Sequence, residues 1–282
     1  MAAPERIGEA WQRASRSIAR LDARLLLEQV CDLRHADLIA HPERELTAAQ
    51  AVRFEELLTR REAGEPLAYL LGSSFFYGLE FSVTPAVLIP RPETQVLVDL
   101  GRERAAALDA PRIVDLGTGS GIVAVLLAKL CPSAQVSAVD ISSLSLGVAR
   151  GNAARHGVDV RFFEGDWYAP LGDERFNLIV SNPPYIVAGD AHLQGDGLPF
   201  EPQSALTDGV VGGDGLACVR RIVEGAEDHL LADGWLLIEH GYDQAVQVRE
   251  LLAQAGFAGV ASWRDDAGIE RVSGGRRQGA LR

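Results

Sequence analysis

The chain has 282 residues, 47% hydrophobic and 23% charged, with a formal net charge of −12. This length predicts one large and one small domain with enough buried surface for a substantial core. The acidic balance, with no basic run and Lys129 as the sole lysine, argues against a nucleic-acid grip or a Walker-type phosphate site, and suits a basic or neutral protein partner.

No run approaches the ~18 apolar residues of a membrane span. The opening Met-Ala-Ala-Pro-Glu-Arg lacks the basic-then-apolar order of a secretory signal, so a cytoplasmic location is expected. Cys31, Cys131 and Cys218 are odd in number, far apart and outside any C-x-x-C pair, which argues for inert packing rather than disulfides or zinc.

The first 70 or so residues read as helices. Ile18, Leu21, Leu25, Leu26 and Val30 form an apolar stripe at helical spacing. Thr47 and Gln50 make a capping-box opening, Phe54, Leu57 and Leu58 supply an inward face, and Gly64 is a stop. Phe75 to Val83 is aromatic and partly alternating around Gly78, which predicts a β-hairpin. Leu88-Ile89-Pro90-Arg91-Pro92-Glu93-Thr94 is expected to be extended, because each proline biases its predecessor away from helix. The expected division is a helical N-terminal domain over 1–72, a hairpin and proline-rich linker over 73–92, and the main domain over 93–282. The first of these carries no chemistry and is expected to grip a substrate.

From residue 111 onward strand and helix alternate. Strands are predicted at 112–116, 135–140, 159–163, 176–181, 235–239 and 257–262, and helices at 121–130, 142–155, 214–231 and 243–254. Short apolar strands between helices indicate an α/β fold with a doubly wound, mostly parallel sheet that binds ligands at the carboxyl ends of its strands.

Ile113-Val114-Asp115-Leu116-Gly117-Thr118-Gly119-Ser120-Gly121 is a buried strand running into a glycine loop that opens a helix. Glycines let the backbone turn and approach a ligand closely. A dinucleotide fingerprint wants Gly or Ala three residues beyond its second glycine, and Ile122 stands there instead. Asp115 either holds the loop or reaches a cationic ligand. Asp140, ending the next strand, is placed to accept hydrogen bonds from both hydroxyls of a ribose, or else to cap the following helix. This arrangement resembles the S-adenosylmethionine site of the class I methyltransferases. In that family the position of Asp166-Trp167 contacts the adenine, where an indole stacks on or flanks the base; a plain core tryptophan is the alternative.

Phe176 to Ser181 delivers Asn182-Pro183-Pro184-Tyr185 at a strand end. Two prolines fix φ twice and remove two N–H donors, leaving a rigid turn that shows carbonyl oxygens and one amide. A carboxamide nitrogen is a poor nucleophile because its lone pair is delocalised. The Asn182 side-chain oxygen and the Pro183 carbonyl can bind its two N–H groups and aim the remaining lone pair at a methyl donor. Tyr185 would pack against the planar amide. The tetrapeptide is a signature of nitrogen methyltransferases acting on glutamine or on adenine N6, where an aromatic stacks a flipped base.

Further segments occur in a set order: Glu65 to Gly72, Leu88 to Thr94, Phe200-Glu201-Pro202, Gly213-Asp214-Gly215-Leu216, Glu239-His240-Gly241 and Glu270-Arg271-Val272. Together with the two motifs they resemble the peptide chain release factor N5-glutamine methyltransferases (HemK/PrmC type) over nearly the whole chain. The resemblance implies methylation of the glutamine in the Gly-Gly-Gln loop of class 1 release factors, with S-adenosyl-L-homocysteine as product. It implies cofactor contacts from Gly117, Thr118, Gly119, Ser120, Gly121, Asp140, Trp167 and Asn182, and a glutamine held by Asn182, Pro183, Pro184 and Tyr185. Neither a metal nor direct nucleic-acid or membrane binding is implied. Gln95, where the family has an acid, and Ser145, where it has Ala before Leu146, depart from the pattern away from the expected reaction centre.

The alternatives are an adenine-N6 methyltransferase, disfavoured by the missing basic patches, and a non-catalytic cofactor-binding module, disfavoured by the complete Asn182–Tyr185 turn. His35, His41, His156, His192, His229 and His240 show no metal spacing. Ser142 and Ser143 lie in no G-x-S-x-G context. Arg91 and Glu93 either line a substrate entrance or form an interdomain ion pair.

Overall fold

In the computed structural model residues 4–195 and 197–279 are described, so the opening residues 1–3 of the signal-sequence assessment lie outside them. Contacts divide the chain into two units, Met1–Ser73 with Gln194–Phe200, and Ser74–Leu193 with Glu201–Arg282.

The first unit holds helices α1 (Ile7–Ala14), α2 (Arg20–Cys31), α3 (His35–Ala40), α4 (Ala48–Glu62) and α5 (Leu67–Leu71). At the start of α4, Thr47 Oγ1 accepts from Gln50 N at 3.2 Å and Gln50 Oε1 accepts from Thr47 N at 3.0 Å, the expected capping box. Phe54, Leu57 and Leu58 turn inward against Leu26, Leu27 and Leu38. The predicted stripe on α2 is out of phase: Leu21 is 54% exposed, and the buried positions are Asp22, Ala23, Leu26, Leu27 and Cys31. Asp22 is an acid among these inward positions because its Oδ2 accepts from Arg61 Nε at 2.7 Å, and that partner carries it inside.

The hairpin follows as β1 (Ser73–Phe76) and β2 (Leu79–Ser82). Tyr77 and Gly78, both at positive φ (52° and 73°), make its two-residue turn. Extended chain continues only to Arg91. Pro92–Thr94 is a turn of 3₁₀ helix that leads into α6 (Gln95–Ala106), an element not predicted from the sequence. Val96, Leu97, Val98 and Leu100 are too nearly continuous to show a 3.6-residue period.

The remaining elements are β3 (Arg112–Leu116), α7 (Ile122–Leu130), β4 (Gln135–Asp140), α8 (Ser143–His156), β5 (Arg161–Glu164), β6 (Phe176–Ser181), β7 (Ile186–Ala188), α9 (Gln203–Leu206), β8 (Thr207–Val211), α10 (Ala217–His229), β9 (Leu230–Glu239), α11 (Ala245–Gln254), β10 (Ala258–Arg264) and β11 (Glu270–Arg276). The central sheet runs β10-β11-β9-β6-β3-β4-β5, parallel except that β11 is antiparallel to both neighbours. It is the doubly wound, mostly parallel sheet expected. Alternate strand residues feed two cores: Ile113, Leu178 and Leu237 pack with α6 and α7, while Val114, Ile179, Leu236 and Ile238 pack with α10 and α11.

The short parallel pair β7–β8 and the strand β11 were not predicted. In β11 the run Ser273-Gly274-Gly275 lacks strand formers because there is no room for them. A Cβ on Gly274 would lie 2.5 Å from Leu236 O, and one on Gly275 2.8 Å from Phe257 Cβ. Among the described residues no helix is long and apolar enough to cross a membrane.

Candidate functional site

The sheet changes direction at β3, with β4 on one side and β6 on the other. A crevice opens beyond the carboxyl ends of the strands at such a switch. A pocket of about 430 Å³ occupies it, and Gly117, Thr118, Gly119, Ser120, Asp140, Trp167, Asn182 and Pro184 stand on its wall. Four separate strand ends thus bring together most of the residues singled out in the sequence. Gly121, Pro183 and Tyr185 are not on that wall. Gly121 precedes α7 at φ +83°, and a Cβ there would meet Ala149 Cβ at 2.9 Å. Its glycine is required by the packing of α7 on α8.

The glycine loop is fastened from two sides. Gly117 N and Thr118 N donate to Val139 O at 2.9 and 3.0 Å, tying the loop to the end of β4. Thr118 Oγ1 donates to Asp115 Oδ2 at 2.6 Å. Burial pushes the Asp115 carboxyl up to about 7 against that bond and one from the Ala124 backbone. Its contacts are those of a residue holding the loop, and it also borders the pocket.

Asp140 Oδ2 accepts from Gly119 N at 2.8 Å and Oδ1 from Ser142 N at 2.9 Å. Burial raises its pKa, and those two donors oppose the rise. Two bonds leave further acceptor capacity on the carboxylate. The cap of α8 is Ser142, whose Oγ accepts from Ser145 N at 3.2 Å. Ser145, one of the departures from the family pattern, donates its Oγ–H to Ala86 O at 3.0 Å. Trp167 sits in the left-handed region at φ +48°. Its indole lies over Gly117, where a Cβ would come within 3.3 Å of the ring. A bulky residue in that conformation is held there by its surroundings.

At the other end, Asn182 Nδ2 donates to Thr94 Oγ1 at 3.3 Å, and Thr94 Oγ1 donates to Glu239 Oε1 at 3.2 Å. Glu239 is 2% exposed, and burial pushes its carboxyl up to about 8, helped by Glu93 and opposed by Thr94, Arg271 and Asn182. Its Oε2 is buried and accepts no bond of normal geometry, although the Asn182 amide is near enough to favour the charged form. Burial, then the charge of Glu239, pushes the Tyr185 hydroxyl up to about 12. Gln244 Nε2 donates to Tyr185 O and to Asp214 O, both at 3.0 Å. Gly215 passes so close that a Cβ would lie 2.1 Å from Tyr185 O.

Thr94, Glu239 and Gln244 are thus parts of the site without a role predicted from sequence. Gly213–Leu216 and Glu239–Gly241 stand out as motifs, but only the β6–β9 pairing places the latter beside Asn182.

Arg91 is ion-paired with Glu201, whose Oε2 also accepts from Ile89 N at 3.0 Å. Glu93 lies 3.8 Å from Arg271. Both pairs fall inside the second unit, and Arg91 also borders the pocket. Arg221, on the same wall, is paired with Asp166. With both arginines neutralised and carboxylates at hand, the pocket suits a cationic ligand better than a polyphosphate. Cys31 and Cys131 are buried, while Cys218 is half-buried on the pocket wall. His240 is buried, with Nε2 2.8 Å from Ser273 Oγ. No group of three or more metal-ligating side chains occurs among the described residues.

Residues 8–72 match the family model of the PrmC N-terminal domain, and residues 93–194 that of the methyltransferase small domain. The release factor glutamine methyltransferase of Bordetella pertussis is 49% identical over 93% of this chain and 96% of its own length. That of Burkholderia pseudomallei is 49% identical over 92% of each. Among solved structures, the Thermus thermophilus 16S rRNA N2 G1207 methyltransferase, in complex with AdoMet and guanosine, aligns with a TM-score of 0.54 at 18% identity, covering 73% of this chain and 50% of that one. A methyltransferase from Pyrococcus furiosus gives 0.52 at 17% identity over 82% and 100%. The two structures share the fold, and the sequence relatives go further: the chain belongs to the release factor glutamine methyltransferase family.

Proposed function

We propose that this chain transfers a methyl group from S-adenosylmethionine to the side-chain amide nitrogen, N5, of the glutamine in the Gly-Gly-Gln loop of class 1 peptide chain release factors, in support of translation termination. The observation that carries this is one pocket lined by the glycine loop after β3, with Asp140 and Asn182 at the ends of the strands on its two sides. S-adenosylmethionine, when bound, supplies an electrophilic methyl group on a sulfonium centre.

The chain binds, orients and excludes water. The backbone from Gly117 to Ser120 cradles the cofactor, the remaining lone pairs of Asp140 accept from its ribose, and Trp167 flanks its adenine. Asn182 Oδ1 and Pro183 O accept the two N–H groups of the target glutamine, Pro184 stiffens the turn, and Tyr185 packs beside the amide. Neutral acceptors suffice, because the nitrogen becomes acidic as it is methylated and loses its proton afterwards. Such positioning supplies on the order of 7–11 kcal/mol in well-oriented systems.

Residues 1–72 act as the substrate-recognition domain, gripping the body of the release factor. Binding is to protein alone, with no direct contact to nucleic acid or membrane, and takes place in the cytoplasm. The decisive assay incubates the chain with labelled S-adenosylmethionine and purified release factor, RNA and DNA. Label in the release factor glutamine is expected; label in RNA or DNA instead would give the adenine-N6 alternative. A chain starting at residue 82 should bind S-adenosylmethionine yet methylate the intact factor poorly, and unchanged efficiency would remove recognition from the N-terminal domain.

A further inference from the structure

We propose that Thr94 and Glu239 are positioning residues that set which end of the Asn182 amide faces the target, and so make the site select a carboxamide over a carboxylate. This rests on Asn182 as the acceptor for the target amide. The two ends of an asparagine side chain have nearly the same shape, so packing alone does not choose between them. Turned one way Asn182 offers the pocket an acceptor; turned the other way it offers a donor.

The choice is made behind it. Thr94 Oγ1 has one proton and directs it to Glu239 Oε1 at 3.2 Å. A carboxyl accepts through at least one oxygen whether ionised or neutral. With its proton so committed, Thr94 can only accept from Asn182, which it does from Nδ2 at 3.3 Å. Thr94 is 1% and Glu239 2% exposed, so no bulk water competes for these bonds. Nδ2 is therefore held inward, and Oδ1 is left to the pocket that Asn182 lines.

Selectivity follows from that polarity. A glutamine offers two N–H groups to Asn182 Oδ1 and Pro183 O. A glutamate carboxylate offers only acceptors, and acceptor against acceptor in a partly desolvated slot is unfavourable. Reversal of the Asn182 amide would admit the carboxylate and lose the grip that aims the nitrogen.

The test uses the full chain with Thr94→Val, which keeps the shape and removes the hydroxyl, and Thr94→Ser, which restores it. Three quantities are measured: the single-turnover methylation rate of the intact release factor, the S-adenosylmethionine dissociation constant, and inhibition by a release factor carrying glutamate in place of the target glutamine. Thr94→Val should slow methylation about tenfold, the scale of one buried hydrogen bond, with cofactor affinity within about twofold of wild type. The glutamate factor should become a relatively stronger inhibitor by a similar ratio, and Thr94→Ser should return both values toward wild type. If Thr94→Val does not fold, Glu239→Gln, which can present an NH₂ to Thr94 and reverse the chain of donors, should move both readouts the same way. A folded Thr94→Val or Glu239→Gln variant with unchanged rate and unchanged discrimination overturns the inference. Asn182→Ala separates the two levels. If it is inactive while Thr94→Val is normal, only this inference fails; if it is fully active, the acceptor role of Asn182 fails with it.

Discussion

Asp140 and Glu239 are both carboxylates at the carboxyl ends of parallel strands, on opposite sides of the switch point, and their surroundings differ. Asp140 is half-buried and accepts two backbone N–H bonds, from Gly119 and Ser142, which counter the desolvation that raises its pKa. Glu239 is buried completely, has one hydroxyl donor and a second oxygen without a partner, and is pushed up to about 8. One carboxylate is anchored to the main chain with acceptor capacity to spare on the pocket side. The other is sealed behind Thr94 and Asn182. Burial by itself raises a carboxyl's pKa, and each donor it is given opposes that rise.

Five substitutions probe the two ends of the pocket and the support behind it. The largest effect is expected for Asn182→Ala at the acceptor end: turnover falls by about three orders of magnitude, comparable to removing an oriented polar group from a reaction centre, while most cofactor binding remains. Asn182→Asp should lie between Ala and wild type, because it keeps an acceptor but adds a charge that stabilises the cationic cofactor before the transition state disperses it. Single-turnover methylation with cofactor titration and circular dichroism measures both. Near-normal turnover for Asn182→Ala would return the turn to a scaffold.

At the cofactor end, Asp140→Ala should weaken S-adenosylmethionine binding by about 1.5–3 kcal/mol, the worth of hydrogen bonds to a charged group. Calorimetry reads it, and an unchanged dissociation constant would remove Asp140 from the cofactor's contacts.

Glu239 should reveal itself in stability. Its folded pKa of about 8 lies above the ordinary value of 4.5, so between those limits the folded chain binds the proton more tightly than the unfolded one. The stability it contributes is present below pH 4.5 and is lost as pH rises toward 8, at up to about 1.4 kcal/mol per pH unit. Urea unfolding of wild type and Glu239→Gln from pH 5 to 8 should show a flatter dependence for the variant, and parallel curves would mean the carboxyl is ionised throughout. Smallest of all, Trp167→Ala should cost about 1 kcal/mol of cofactor affinity, the scale of an aromatic contact, with turnover at saturating cofactor little changed. A fall in turnover alone would place the indole at the acceptor end instead.

Locally encoded features were legible in the sequence. The strands 112–116, 135–140 and 176–181 form where apolar runs end in turn chemistry, and the glycine loop and Asn182–Tyr185 lie at their carboxyl ends. Thr47 and Gln50 bond each other because a capping box spans only three residues. Backbone preference and short-range bonding are properties of neighbouring residues, so the order of amino acids suffices to specify them. The helix α6, the buried Asp22 and the glycine-bearing strand β11 depend on partners far along the chain: Asp22 is inside because Arg61 meets it, and Gly274 is a strand residue because β9 leaves it no side-chain space. The support behind the site is of the same kind. Thr94, Asn182 and Glu239 are 88 and 145 residues apart along their two hydrogen bonds. Only the pairing of β6 with β9, and the return of the chain past Pro92, brings a hydroxyl and a carboxyl into the dry space behind Asn182, where desolvation gives their bonds the strength to orient it.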